Sequence, residues 1–569
     1  MKNVRRLTRR DFLKDAAKTA AVVAVSGVLP PIIGCGSDVA YDTLIRGGEV
    51  HDGMGNAPRI ADIGIIGDRI VAIGNLTGRG ARTIEAQGLL VCPGFIDVHT
   101  HVDITLLYLE PIDVFPIDLT GNFNYMYQGV TTVVAGNCGA GYTDIEGFFD
   151  KLHKSGGYGT NICSLAPHGL IREDLFKDEQ PQPGMNQEQL DKMKAAIAVQ
   201  MEKGTIGFSV GLEYANGCFS NIEELIEIAK VVKSYDGLYA THTRDQTGTG
   251  LGLPPENLGG VLKSIDEAIQ IGQAADIPVQ VSHLQVVKPW NDVAAHQILE
   301  RIETARQEGL DITGDIHVSD IGISNLNYRL PIEIKSLWGV KKEYQTPEGR
   351  KTVQTEIEKV FKYLGPDEIQ TCSVPWKPDK SYDLQYLIDL PGLPGNDGKT
   401  PSECYVDLVA DPDHMSPDAY HYEINPDVRD GIIPHDHIFM ASDGYGSSED
   451  PDRTAVVHPR SFFNFTKVLT EFVIKNRLMD LPFAIRKMTS LPADKFKLKD
   501  RGRIEEGYFA DIVVIDTKKL ASHATIEDAR HYSTGVEYSL VNGVLAIENG
   551  AATDQRAGKI LRMSKGSVV

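Results

Sequence analysis

The chain has 569 residues, 42% of them hydrophobic and 24% charged, and a net charge of −21. That length and composition suit an ordinary globular protein with room for a barrel of about 250 residues and a smaller second unit. An acidic chain without a concentrated basic surface excludes nucleic acid as a partner. Seven scattered cysteines exclude a disulfide scaffold, and no internal run reaches the roughly 18 apolar residues of a membrane span.

Thr8-Arg9-Arg10-Asp11-Phe12-Leu13-Lys14, the apolar stretch from Ala20 to Leu29 and then Ile32-Ile33-Gly34-Cys35 come first. Residues 1–34 resemble a twin-arginine export signal ending in a lipoprotein box, with Cys35 as the lipidated first residue of the mature chain. The expectation is a periplasmic or cell-envelope lipoprotein that meets the membrane only through its lipid anchor. Such signals are associated with export of folded proteins, and a metal site filled beforehand fits that route.

Residues 35–92 read as short alternating strands broken by Gly-rich turns, and the same texture returns over 501–569, with a hairpin around Asn542-Gly543. Two β-rich ends predict one small β-sandwich assembled from both termini. Between them, over 93–500, strands and helices alternate as in a parallel barrel. The strand candidates are 94–102, 130–135, 161–166, 206–212, 238–243, 278–283, 311–318 and 437–442, which is the count of an α/β (β/α)8 barrel. Apolar periodicity predicts helices over 187–202, 222–235, 261–275 and 293–308, the second of them with Ser220 and Glu223 as a capping box. The Pro-, Gly- and charge-rich stretch of about 320–430 reads as an insertion near the barrel mouth.

Pro93-Gly94-Phe95-Ile96-Asp97-Val98-His99-Thr100-His101 organises the chain. Side chains alternate faces along a strand, so His99 and His101 point the same way, one pleat apart, and can chelate one ion. Barrel enzymes place their chemistry at the C-terminal strand ends, and Cys138, His242, His283 and Asp443 fall there too. A thiolate with imidazoles and a carboxylate suits zinc better than magnesium or calcium.

The order of these residues, together with Gly136-Asn137-Cys138-Gly139, Gly211-Leu212-Glu213-Tyr214, Ser282-His283, Ser442-Asp443-Gly444 and His458-Pro459-Arg460, resembles the amidohydrolase superfamily and, within it, the N-acyl-D-amino-acid deacylase (D-aminoacylase) family. The resemblance covers about 41–560 apart from the insertion. It implies a tightly held zinc on Cys138, His242 and His283 and a weaker second position at His99, His101 and Asp443. Glu213-Tyr214 stands where relatives with a bridging carboxylated Lys carry that residue. The implied activity is hydrolysis of a linear N-acyl amide of a small molecule, the substrate D-configured, with Asp443 as general acid and base and Tyr214 on the carbonyl oxygen.

The substrate side departs from the pattern. Asp315-Ile316-His317-Val318-Ser319 replaces the family's Tyr-Pro-Tyr element, and Gln285 replaces its Lys. Arg460, Arg329, His317 and Lys288 are the candidates to hold a substrate carboxylate instead. His168 and Arg172 also resemble the family, without a derivable role. Two other readings stay open: cyclic-amide opening of the hydantoinase or dihydroorotase kind, and a non-catalytic lipid-anchored binding protein.

Overall fold

In Val130–Ala135 all six side chains are buried, the signature of a strand covered on both faces. The computed structural model in which it lies describes residues 40–177, 184–214, 217–246, 260–287, 292–336, 339–374, 376–377, 380–450 and 458–569. The leader with Cys35, and Lys288, lie outside the described residues.

Val130–Ala135 pairs in parallel with Phe95–Asp97 on one side and Asn161–Ser164 on the other. Ala166–Pro167 carries the order on to Gly207–Gly211, and then Leu238–His242, Val279–Val281, Ile312–Ile316 and Ile438–Met440 follow, each parallel to the one before. Past the last of these, Gly444–Tyr445 pairs in parallel with Thr100–His101, and the Asp443 amide donates to the His99 carbonyl at 3.0 Å. The last strand thereby returns to the first at its C-terminal end. The result is a mixed α/β architecture with amphipathic helices between strands, among them Gln187–Glu202, Ile222–Lys233, Gly260–Ala275 and Ala295–Gln307.

The predicted strands are all present, the one over 130–135 with its expected bounds and the others shorter or broken. The first ends at Asp97 rather than 102, because after the pair Thr100–His101 the chain winds into the helix Val102–Leu107. The capping box expected at Ser220 is displaced by one residue: Asn221 is the N-cap, its side chain accepting from the Glu224 amide. Ser220 and Glu224 are engaged by Arg172 instead.

Both chain ends enter one nine-stranded sheet, in which Leu90–Pro93 pairs antiparallel with Ile512–Ile515. Its hydrogen bonding runs continuously because the long strand Ala40–Val50 has partners along both edges, Arg59–Ile66 on one and Arg79–Glu85 then Leu90–Pro93 on the other. Ile45, Ile63, Val91, Ile512 and Val514 form its separate core. The Asn542-Gly543 turn is as predicted, both residues having positive φ between Val536–Val541 and Val544–Glu548.

The insertion folds on a core of its own that includes Leu326, Val353, Ile357, Leu387 and Tyr405. A three-stranded antiparallel sheet of Gly322–Asn325, Asp418–His421 and Ile369–Thr371 brings its two ends together. Thr346 caps Pro347–Val360, and Thr400 with Glu403 forms a capping box for Pro401–Val409.

A buried polar knot joins the terminal sheet to the parallel strands. Arg501 pairs with Asp511 and donates to Asn542 Oδ1 at 2.8 Å, while Asn161 donates to Asp511 Oδ2 at 3.1 Å and accepts from Asn542 Nδ2 at 2.8 Å. Removing one partner leaves an uncompensated buried charge. Arg501→Ala is expected to destabilise the protein by about 3–5 kcal/mol, read as a lowered melting temperature, whereas an unchanged melting temperature would show the knot to be idle.

Candidate metal centre

Cys138, His283 and Asp443 each lie where a parallel strand has given way to loop, and each has a positive φ, at 54°, 32° and 49°. For residues with a Cβ this is strained backbone of the kind that collects at functional sites. Two buried carboxylates from the strands hold the surroundings. Asp97 accepts from the His99 and Ser442 amides at 3.2 and 3.1 Å. Asp315 accepts from the His283 amide and from Gln280, both at 2.7 Å, and lies 3.2 Å from His99 Nδ1. The latter contact turns the Nε2 edge of His99 toward the cluster.

The cluster itself is tight. Cys138 Sγ is 3.2 Å from His99 Nε2 and 3.5 Å from His283 Nε2, and Asp443 Oδ1 is 3.5 Å from His99 Nε2 and 3.0 Å from His101 Nε2. The ligand atoms fall into two groups, His99, Cys138 and His283, and His99, His101 and Asp443, sharing His99. Donors bound tetrahedrally to one ion at about 2.0–2.3 Å lie about 3.3–3.8 Å apart. The two 3.5 Å spacings fall in that range and those of 3.2 and 3.0 Å lie just below it, and the thiolate and imidazole donors fit zinc.

His242 stands beside these groups: it hydrogen-bonds Cys138, and its ring is 4.5 Å from that of His283. Its Nε2 also lies 3.1 Å from Oε2 of the buried Glu213, which accepts from the Tyr328 hydroxyl of the insertion.

Burial opposes ionisation throughout, and the neighbours override it. Burial alone would raise the Cys138 thiol, but His99, His101, His242 and His283 hold it well below its ordinary value. Burial would also raise Asp443, yet the Arg460 guanidinium and the imidazoles hold it well below the carboxylate range. His101 is pushed down by burial and up, to about 9, by Asp443 and Cys138. Tyr214 is kept protonated by burial and by the Cys138 and Asp443 charges, which makes it a hydrogen-bond donor beside His242 at 4.5 Å between rings.

A cavity of about 680 Å³ opens on this cluster, with His101, Cys138, Tyr214 and Tyr445 in its wall. The expected carboxylate-holding residues fare differently. Arg460 reaches the site but spends its Nη2 on Asp443 Oδ2 and its Nε on the Asp443 carbonyl, each at 2.7 Å, and it braces Asp443. Arg329 is buried inside the insertion against Glu423 and is not in the cavity wall. His317 has its Nε2 3.4 Å from Arg460 Nη1, and burial and that guanidinium hold it well below its ordinary value. Sequence reasoning missed Lys335 of the insertion, which lies in the cavity wall with Nζ donating to the Tyr328 carbonyl at 2.9 Å. No local motif announces it. It also assigned no part to Asp97 and Asp315, whose strand positions just ahead of site residues are the available signal. His168 is fully buried and kept neutral, lowered to about 3 by burial and Arg172.

Comparison with known proteins agrees with this geometry. Residues 451–547 match the model of the family described as Amidohydrolase family. A D-aminoacylase of Alcaligenes xylosoxydans xylosoxydans is 28% identical over 92% of this chain and 97% of its own, and an N-acyl-D-glutamate deacylase of the same organism is 28% identical over 92% and 96%. The crystal structure of N-acyl-D-glutamate deacylase from Bordetella bronchiseptica, complexed with zinc and a phosphonate inhibitor that mimics the tetrahedral intermediate, superposes with a TM-score of 0.74 at 27% identity, over 92% of this chain and all of that one (100%). A D-hydantoinase structure from Thermus sp., at 15% identity and a TM-score of 0.56, shares the fold. The chain is an amidohydrolase. Within that class it is similar along most of its length to the N-acyl-D-amino-acid deacylases.

The cluster predicts a metal requirement that is structural as well as chemical. Chelation should lower the melting temperature, and Cys138→Ser should purify with less than half the wild-type metal content. Wild-type protein that is metal-free and equally stable would contradict the fit.

Proposed function

We propose that this chain is a zinc hydrolase of the linear amide in N-acyl amino acids of D configuration, built on a (β/α)8 barrel with a β-sandwich from its ends. The observation that carries the proposal is an Arg-braced Asp443, held well below the carboxylate range, 3.0 Å from the His101 that lines the cavity and 3.5 Å from His99. Cys138, His242 and His283 would hold a tight ion, and His99, His101 and Asp443 a weaker one, since the single Nε2 lone pair of His99 serves one ion at a time. A bound zinc supplies polarisation of the amide carbonyl and a lowered pKa for water.

The protein's own groups do the rest. Water oxygen adds to the acyl carbon, and Asp443 Oδ1 takes the proton released. Asp443 then gives that proton to the amide nitrogen as the C–N bond breaks, leaving a carboxylic acid and the free amino acid. Arg460 keeps Asp443 ionised between turnovers and fixes its orientation. The Tyr214 hydroxyl donates toward the carbonyl oxygen, and Lys335 Nζ offers a cation to the substrate carboxylate, replacing the family's altered donors.

A panel of N-acetyl-D- and L-amino acids, dipeptides and hydantoins tests this. Linear D amides should turn over and cyclic substrates should not; turnover confined to cyclic substrates would overturn the reading. Asp443→Asn should retain the tight metal while kcat falls by on the order of 10² or more, and Lys335→Ala should raise KM more than it lowers kcat.

The twin-arginine pair and Cys35 support the further proposal of a lipid-anchored envelope enzyme. Cys35→Ser should move the protein from the membrane fraction to the soluble one. Wild-type protein found unprocessed in the cytoplasm would refute it.

A further inference from the structure

The insertion contributes more than Lys335 to the cavity. The antiparallel register that sets Asn325 opposite Asp418 places both residues in the cavity wall. Asp418 is half-buried there, and its carboxylate has no hydrogen-bond or ion-pair partner among the described residues. The neighbouring acids differ. Glu110 is paired with Lys151 and accepts from the Tyr142 hydroxyl, Asp144 is paired with Lys203 at 3.1 Å, and Asp174 accepts from Thr143 at 2.6 Å.

Tyr108 and Tyr445 line the same cavity as Asp418, and both phenols feel its charge. Tyr445 in turn lies against His101, with ring centroids 5.4 Å apart, which ties this corner of the cavity to the metal cluster. A lone carboxylate in a cavity wall is a cation receptor: an ammonium or guanidinium gains a charge-assisted hydrogen bond there. An anionic side chain at the same place would meet an uncompensated like charge. Burial raises Asp418 to about 6, and a bound cation works against that rise.

We propose that Asp418 selects substrates whose side chain carries a cation, namely N-acyl derivatives of D-lysine, D-ornithine and D-arginine. This rests on the deacylase reading and sharpens it: Lys335 takes the α-carboxylate while Asp418 takes the distal positive group. The charge preference is then opposite to that of relatives named for D-glutamate and D-aspartate.

The test compares kcat/KM of the metal-loaded full-length enzyme for N-acetyl-D-lysine, N-acetyl-D-leucine and N-acetyl-D-glutamate. The expected order is lysine, leucine, glutamate. Asp418→Asn should reduce the lysine-to-leucine ratio by about tenfold or more, and Asp418→Lys should favour glutamate over lysine. Product inhibition of the wild type gives an arm free of folding effects, with D-lysine inhibiting more strongly than D-norleucine. Turnover of N-acetyl-D-leucine with no preference for lysine over glutamate, or with equal inhibition by the two products, would overturn the role of Asp418 and leave the deacylase reading standing. Failure to cleave any of the three would remove both.

Discussion

A thiolate, a carboxylate and three imidazoles lie within a few ångströms of one another in the interior, and nothing about that cluster is stable without positive charge at its centre. Cys138 and Asp443 are anionic there, and buried anions demand compensation. In the protein alone the compensation comes from protons, with His99 held well above and His101 raised to about 9 against the opposing pull of burial. A divalent cation replaces those protons with a stronger and more central charge, so metal uptake and proton release are one event. The cavity, the brace on Asp443 and the chemistry proposed for the site all follow from that replacement.

The scaffold is arranged to keep these groups together at a cost. Three of the cluster residues occupy strained backbone, of order 1–3 kcal/mol each. The strain persists because the strands on either side over-determine it. Asp97 and Asp315, each on a parallel strand, hold the His99, Ser442 and His283 amides, and Ser209 Oγ accepts from the Gly139 amide at 2.9 Å just after Cys138. The loops that carry the ligands are thus held by the rigid part of the fold rather than by one another.

Much of this was legible from the residues. Period-two and period-3.6 patterns placed the parallel strands and the helices between them, and the Asn542-Gly543 pair marked its hairpin correctly. What pattern reading could not reach is partner choice. It makes Ser220 a cap because Glu223 follows three residues on, yet Asn221 lies one residue closer to the helix and caps it through the Glu224 amide, and Arg172 claims Ser220. Arg329 follows the altered seventh strand in sequence, but its buried pair with Glu423 keeps it inside the insertion. Arg460 was placed in the site, but its choice of Asp443 over a substrate depends on a distance of 2.7 Å that no motif encodes. Lys335 and Asp418 come from a segment without family pattern, where the antiparallel pairing of Gly322–Asn325 with Asp418–His421 decides what reaches the cavity.

The division of labour we propose is between strand ends that carry the reaction and an insertion that shapes what enters. The central claim, that one soft cation sits among Cys138 and the imidazoles, is tested most directly by X-ray absorption at the zinc edge of the purified enzyme. The account predicts a shell with one sulfur scatterer at about 2.3 Å together with nitrogen scatterers at about 2.0–2.1 Å, the sulfur being lost in Cys138→Ser. A shell of nitrogen and oxygen alone in the wild type would contradict it.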